Sequence, residues 1–319
     1  MRAPTGHLIF FATDVHGSEV CFRKWLNAGA AYGADILIMG GDLTGKVIVP
    51  VHKINGHHHA RWRDEDVLLE TEAELVEFRR RAADTGAYVW ESDTDQAAAT
   101  FADEQATEQL FTRLASERLA GWVALAEDRL GEDARAFIIG GNDDAPEIDE
   151  VLEAGTRLVS ADNRVVQLDD WLSMISLGDS TPTPWDSPRE LPEEQYAEKL
   201  DQLIRSAGDA RGAIWNLHVP PYGSSLDDAP SLDERLAVRY SVAGDIKMLP
   251  VGSSAVRSAI ERHQPMVGLH GHVHEGRGRA KIGRTVCFNP GSSYQQGILC
   301  GVLVRVDRKG VRDYTLTTG

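Results

Sequence analysis

The sequence predicts an α/β protein, on three observations. Apolar runs of strand length alternate with segments whose apolar residues recur at helical spacing, a pattern that lays helices against a sheet. Five of the apolar runs stop at Asp, Asn or His, and open α/β sheets build their sites at such strand ends. No internal repeat and no low-complexity linker divides the 319 residues, so one domain spanning 1–319, with a large insertion, is expected rather than two.

The first strand covers residues 7–13 and ends in Asp14-Val-His16-Gly17. Ser18 then caps a helix whose Cys21, Phe22, Trp25 and Leu26 share one face, and Gly33 closes it. A second strand, Asp35-Ile-Leu-Ile-Met39, stops at Gly40-Gly-Asp42. The insertion, a hairpin-plus-helix lid, runs from 46 to about 108. Two extended runs joined by Asn55-Gly56 read as a hairpin. A helix is expected over about 64–83, acidic at its start and basic at its end as the macrodipole prefers, and 84–100 reads as loop. A long helix follows over about 102–130.

The third strand, Ala136-Phe-Ile-Ile139, ends in Gly140-Gly-Asn142-Asp143-Asp144. A short helix opened by Pro146, short strands over 156–177 and a proline-rich surface loop over 181–192 come next. A helix bearing Tyr196, Leu200, Leu203 and Ile204 leads to the strand 212–217, which stops at His218. Ser253 or Ser254 caps a helix to His263. The apolar run from Pro265 then closes in Gly268-Leu-His-Gly-His272-Val-His274, where i, i+2 spacing points His272 and His274 the same way. A strand over 285–288, Asn289-Pro-Gly-Ser292, and two strands over 297–318 joined at Asp307-Arg-Lys-Gly310 complete the chain.

Charge narrows the function classes. The net charge of −16 offers no basic stripe to displace counterions, so nucleic acid and anionic membranes are unsuitable partners. A phosphate-bearing substrate then needs a strong local positive centre, such as metal ions. Three cysteines, odd in number and without metal-type spacing, suit a reducing cytoplasm. The apolar run Leu8-Ile-Phe-Phe-Ala12 is too short for a signal-peptide core or a membrane span.

Asp14 with His16, Asp42, Asn142, His218, and His272 with His274 thus cap five strands. This mixture of imidazole, carboxylate and amide donors, without thiolate, suits manganese, iron or zinc and argues against a closed structural zinc site. The donors outnumber what one open catalytic ion uses, so two divalent ions are expected.

Asp-x-His, Gly-Asp, Gly-Asn-Asp-Asp, His and Gly-His-x-His, in that order over residues 14–292, closely resemble the calcineurin-like metallophosphoesterases. The long insertion and the Gly-Asn-Asp-Asp form most resemble uncharacterised prokaryotic phosphoesterases of that superfamily. The resemblance implies a four-layer αββα sandwich of two mixed sheets with flanking helices. It implies that Asp14, His16 and His274 hold one metal, that Asn142, His218 and His272 hold the other, and that Asp42 bridges them. A small phosphoester would be hydrolysed by a hydroxide bridging the two ions, manganese being expected before iron or zinc. A phosphodiesterase is expected before a phosphomonoesterase or nucleotidase. The alternative from another class is a metal-free scaffold that binds a protein partner through residues 46–130.

The third block departs from the superfamily's commoner Gly-Asn-His, since Asp143 stands where a proton-donating His is usual, with Asp144 after it. Asp42, Asp143 and Asp144 are the catalytic candidates. A carboxylate near two cations is a poor proton donor at neutral pH, which favours substrates with good leaving groups. Candidate substrate contacts are Tyr222, Arg257 and Arg277, with His57 and His59 joining them if the hairpin folds over the cleft rather than presenting a solvated flank. Oligomeric state stays open.

Overall fold

In a computed structural model, which describes residues 6–131, 133–241 and 243–319, the chain opens with β1 (Gly6–Ala12), α1 (Glu19–Tyr32) and β2 (Ile36–Gly40). Residues 1–5, the start of the expected single unit, lie outside the described residues. After β2 come β3 (Val47–Ile54), β4 (His57–Trp62), β5 (Glu65–Leu69), α2 (Glu72–Asp84), β6 (Ala87–Glu91), α3 (Thr94–Ala102) and the long α4 (Glu104–Arg129). Next are β7 (Arg135–Ile139), α5 (Ile148–Glu153), β8 (Leu158–Ser160), β9 (Arg164–Gln167), β10 (Ser173–Leu177), α6 (Glu193–Ser206) and β11 (Ile214–Leu217). The chain ends through β12 (Asp228–Pro230), β13 (Met248–Pro250), α7 (Ser254–His263), β14 (Val267–Leu269), β15 (Gly278–Ile282), β16 (Thr285–Asn289), β17 (Cys300–Asp307) and β18 (Gly310–Thr318).

Two six-stranded mixed sheets carry the site, one ordered β18-β17-β1-β2-β7-β8 and the other β15-β16-β14-β11-β10-β9. Their inner faces meet in an apolar layer where Phe11, Ile38 and Ile139 of the first sheet join Met174, Ile214 and Phe288 of the second. The first sheet's outer face packs Phe10 and Met39 on α1, α4 and α5, with Phe22 and Trp122 stacked at 4.2 Å. The second sheet's outer face packs Ile175 and Trp215 on Tyr196 and Leu200 of α6 and Val256 and Ile260 of α7. Strands buried on both faces read as continuous apolar runs, as they do here. The layers are therefore helix, sheet, sheet, helix.

Local chemistry sets the helix ends. The Ser18 side chain accepts from the Cys21 N–H, and Gly33 ends α1 in the left-handed conformation at φ 66°. Thr71 and Glu74 close a capping box at the start of α2, and Ser253 caps α7.

The segment read as a hairpin-plus-helix lid departs from its sequence reading. Residues 65–69 form β5, not the first turns of a helix, because pairing with β4 overrides the helix-like composition of Glu-Asp-Val-Leu-Leu. Residues 87–91, read as loop, form β6, which pairs in parallel with β3 across α2, a non-local contact that leaves little local signal. The result is a four-stranded sheet, β5-β4-β3-β6, covered on one face by Leu75 and Phe78 of α2 and on the other by Leu110 and Leu114 of α4. Among the described residues, no helix is long and apolar enough to cross a membrane.

Candidate metal centre

Parallel pairing brings the polar strand ends together. β1, β2 and β7 are neighbours in the first sheet, as β11 and β14 are in the second, so five C-terminal ends share one edge. Backbone bonds tie the loops beyond them: Asp14 N–H to Gly41 O at 2.9 Å, His16 N–H to Asp42 O at 2.9 Å, and Gly271 N–H to His218 O at 2.9 Å. The His272 N–H donates to Asp14 Oδ1 at 3.0 Å and joins the two sheets at the site. Asp14, His16, Asp42 and His272 all have left-handed backbone, with φ of 53°, 39°, 52° and 66°. Each such residue costs about 1–3 kcal/mol, strain of a kind that collects at functional sites. Gly41, at φ 109°, leaves room no side chain has, since a Cβ there would lie 2.7 Å from His218 Nδ1.

Donor atoms of Asp14, His16, Asp42 and His274 all lie within 4.8 Å of one another. His16 Nε2 and His274 Nε2 face each other at 3.0 Å, His274 Nε2 is 3.7 Å from Asp14 Oδ1, and His16 Nε2 is 3.6 Å from Asp42 Oδ2. A second group gathers on the other Asp42 oxygen. His218 Nε2 lies 3.3 Å from Asp42 Oδ1, and both His218 Nε2 and His272 Nδ1 converge on Asn142 Oδ1, at 3.1 and 2.7 Å. The Asp42 carboxylate thus stands between two clusters of nitrogen and oxygen donors. Both clusters suit a borderline divalent cation such as manganese, iron or zinc, and neither contains a thiolate.

Burial shapes the charges here. It pushes His16 and His272 down to about 4, so both imidazoles are neutral and free to ligate. Burial acts the same way on His218, but the Asp42 charge and hydrogen bond, with Asp14, outweigh it and raise the group to about 10. Burial opposes the charge on Asp42 as well, yet His218 and His16 hold that carboxyl well below its usual range. Asp14 follows the same logic through His274 and His218. Cationic imidazoles therefore offset two wholly buried carboxylates, and a bound cation would replace those protons. The His218 Nδ1 donates to Gly40 O at 2.8 Å, which aims Nε2 into the site.

Further contacts fix the loops. The Asn289 side-chain amide donates to Leu226 O, Gly271 O and Val273 O at 3.1, 3.2 and 2.8 Å, bracing the turn between His270 and His274. Ser292 Oγ donates to Asp14 O at 2.6 Å. Asp144 is wholly buried, and its carboxylate accepts from the N–H groups of Leu43, Thr44 and Gly141 at 2.9, 2.8 and 2.8 Å and from Thr44 Oγ1 at 2.7 Å. It clasps the Asp42 loop to the Asn142 loop and does not face the cleft. Asp143 does line the cleft, ion-paired to Lys46 and accepting from Ser187 Oγ at 2.8 Å.

The remaining candidates sit elsewhere. His57 is exposed and His59 half-buried on β4, and neither lines the cleft above the centre. Arg257 is held by Glu261 at 2.6 Å and Arg277 by Pro290 O at 2.8 Å, and neither these nor the exposed Tyr222 is part of the cleft wall. The wall, around a volume of about 660 Å³, is built instead by Lys46, Phe111 and Trp185 with Pro230, Leu232, Val238 and Val251. Lys46 carried a legible signal, as it follows Asp42 by four residues in Gly-Asp-Leu-Thr-Gly-Lys. The apolar wall comes from distant loops and had none.

No family model matches the chain. It is 26% identical over 163 residues to the uncharacterized protein MJ1162 of Methanocaldococcus jannaschii, a match covering 50% of this chain and 66% of that one, just under two thirds of the relative's length. A solved structure 15% identical to the chain superposes with a TM-score of 0.56 over 98% of both chains. A dimetal phosphatase from Danio rerio, 10% identical, covers 99% of both chains with a TM-score of 0.44. Two stacked mixed sheets with outer helices and five ordered polar blocks at one shared edge give the chain a four-layer αββα fold, which it shares with the solved structure of TM-score 0.56.

Proposed function

We propose that the protein hydrolyses phosphate esters with two divalent cations, manganese by preference, and takes diesters before monoesters. The observation that carries this reading is Asp42, whose two oxygens lie 3.6 Å from His16 Nε2 and 3.3 Å from His218 Nε2, each in a different donor cluster. In this reading Asp14, His16 and His274 hold one ion, Asn142, His218 and His272 the other, and Asp42 both. Two such ions would polarise the phosphoryl oxygens and acidify a water for in-line attack.

The chain's own residues shape the preference. Asp143 has Lys46 on one carboxylate oxygen and accepts from Ser187 Oγ on the other, so both oxygens already face donors and the leaving alcohol must depart with little help from it. A dianionic monoester would also meet Asp143 and Glu275 in the cleft wall, against Lys46 as the cation facing it, whereas a diester carries one charge fewer. A cleft of about 660 Å³ exceeds what a phosphate alone would fill and leaves space for ester substituents. The three buried free cysteines suit a reducing compartment such as the cytoplasm.

The test compares an aryl phosphodiester with the matching monoester in the presence of Mn²⁺, for the wild type and Asp42→Asn. The reading expects faster diester turnover, lost on chelation, and a fall of at least about a hundredfold in the variant. Turnover of neither ester, or turnover indifferent to the substitution, defeats it.

A further inference from the structure

We infer that the ester this site takes carries one phosphoryl centre and a bulky, uncharged apolar alcohol, of long alkyl or fused-ring type. The inference deepens the hydrolase proposal above and rests on it. The cleft floor is polar, formed by Asp42, Asn142, His272 and His274. One side of its wall is apolar, and three segments remote in sequence build it. Phe111 comes from α4, Trp185 from the 181–192 loop, and Leu232, Val238 and Val251 from the segment around β12 and β13.

Three of these side chains are exposed, and Phe111 and Leu232 are half-buried. Trp185 is 64% exposed, Val251 43% and Val238 37%. Single exposed apolar residues need no explanation, but several that converge on one concave face beside a polar floor mark a binding surface. An occupant that touches both the floor and this wall must be amphiphilic. A tryptophan offers a large apolar area at small entropic cost, because few of its torsions need be frozen.

Charge excludes the other common phosphoesters. Lys46 is the one lysine or arginine among the described residues lining the cleft, and Asp143 already pairs with it; His274 is engaged by Asp14 at the floor, and Glu275 adds a negative charge. A second phosphate, or the backbone of a polynucleotide, would find nothing there to neutralise it. An uncharged apolar alcohol meets no such opposition.

The experiment uses the full chain loaded with Mn²⁺ and a series of p-nitrophenyl phosphodiesters whose second substituent is methyl, butyl or octyl, each below its aggregation concentration. The leaving group is constant, so only contacts of the second substituent vary. The expected result is a rise in kcat/KM of at least about thirtyfold from methyl to octyl, since each buried methylene adds to binding. Trp185→Ser combined with Leu232→Ser should flatten the rise to less than about threefold, whereas Val76→Ser, at an exposed site on α2, should leave it intact. Equal kcat/KM for all three esters in the wild type overturns the inference and leaves the hydrolase reading standing. A rise that survives the double substitution also overturns it, because the apolar contact then lies off this wall. Turnover of none of the three defeats the hydrolase reading, and the inference with it.

Discussion

Asp144→Ala separates bracing from catalysis at the third sequence block. In the native protein one carboxylate serves three backbone N–H groups, of Leu43, Thr44 and Gly141, together with the Thr44 hydroxyl. Alanine strands the three N–H groups in a buried pocket, and each unsatisfied group costs about 1–3 kcal/mol. Two effects reduce the total. Burial and the neighbouring Asp42 charge push Asp144 up to about 6, so removing it relieves some repulsion, and water entering the vacated space recovers part of the hydrogen bonding. A net loss of about 3–4 kcal/mol is expected, measured by urea unfolding of chelator-treated protein so that metal binding does not contribute. The Asp42 loop should loosen with it and weaken Mn²⁺ binding. A loss below about 1 kcal/mol would refute the reasoning, because the clasp would then be dispensable.

Other substitutions report on neighbouring parts. Arg189 is buried, donates to Asp149 Oδ1 at 2.7 Å and Asp162 Oδ2 at 3.1 Å, and holds Asp144 O at 2.6 Å, so Arg189→Met should destabilise the fold by about 3 kcal/mol in the same unfolding assay. Asn289→Ala releases three carbonyls of the loops around His272 and should weaken Mn²⁺ binding by about 10–100-fold in calorimetry, and unchanged affinity would remove its bracing role. Cys21, Cys287 and Cys300 are buried and free, and burial pushes Cys287 up to about 12. A thiol reagent at pH 8 should therefore find no cysteine in native protein and three after unfolding.

What could be read in the chain follows from where the determinants sit. The strand ends were legible because each places an apolar run directly before its polar cluster, so Asp14, Asp42, Asn142, His218 and His272 declare their positions locally. Their convergence depends on parallel pairing of strands far apart in sequence, and the resemblance of five ordered blocks, rather than periodicity, supplied that expectation. The strands β5 and β6 escaped because only their partners make them strands. Asp144 looked like a neighbour of Asp143 with the same task, yet consecutive residues in a turn face different ways, and one meets the cleft while the other meets buried N–H groups. Arg257 and Arg277 suit phosphate by chemistry, but nearby acceptors already occupy them. Trp185 and Leu232 lie in segments without periodicity, and nothing local ties either to the centre.

The central claim is that two cations share the Asp42 carboxylate. Its most direct test is the stoichiometry and spin coupling of Mn²⁺ bound to purified full chain, measured by metal analysis and electron paramagnetic resonance. Two ions per chain with an exchange-coupled spectrum, and loss of that coupling in Asp42→Asn, are the expected result. One isolated ion per chain, or none at saturating Mn²⁺, would contradict the account.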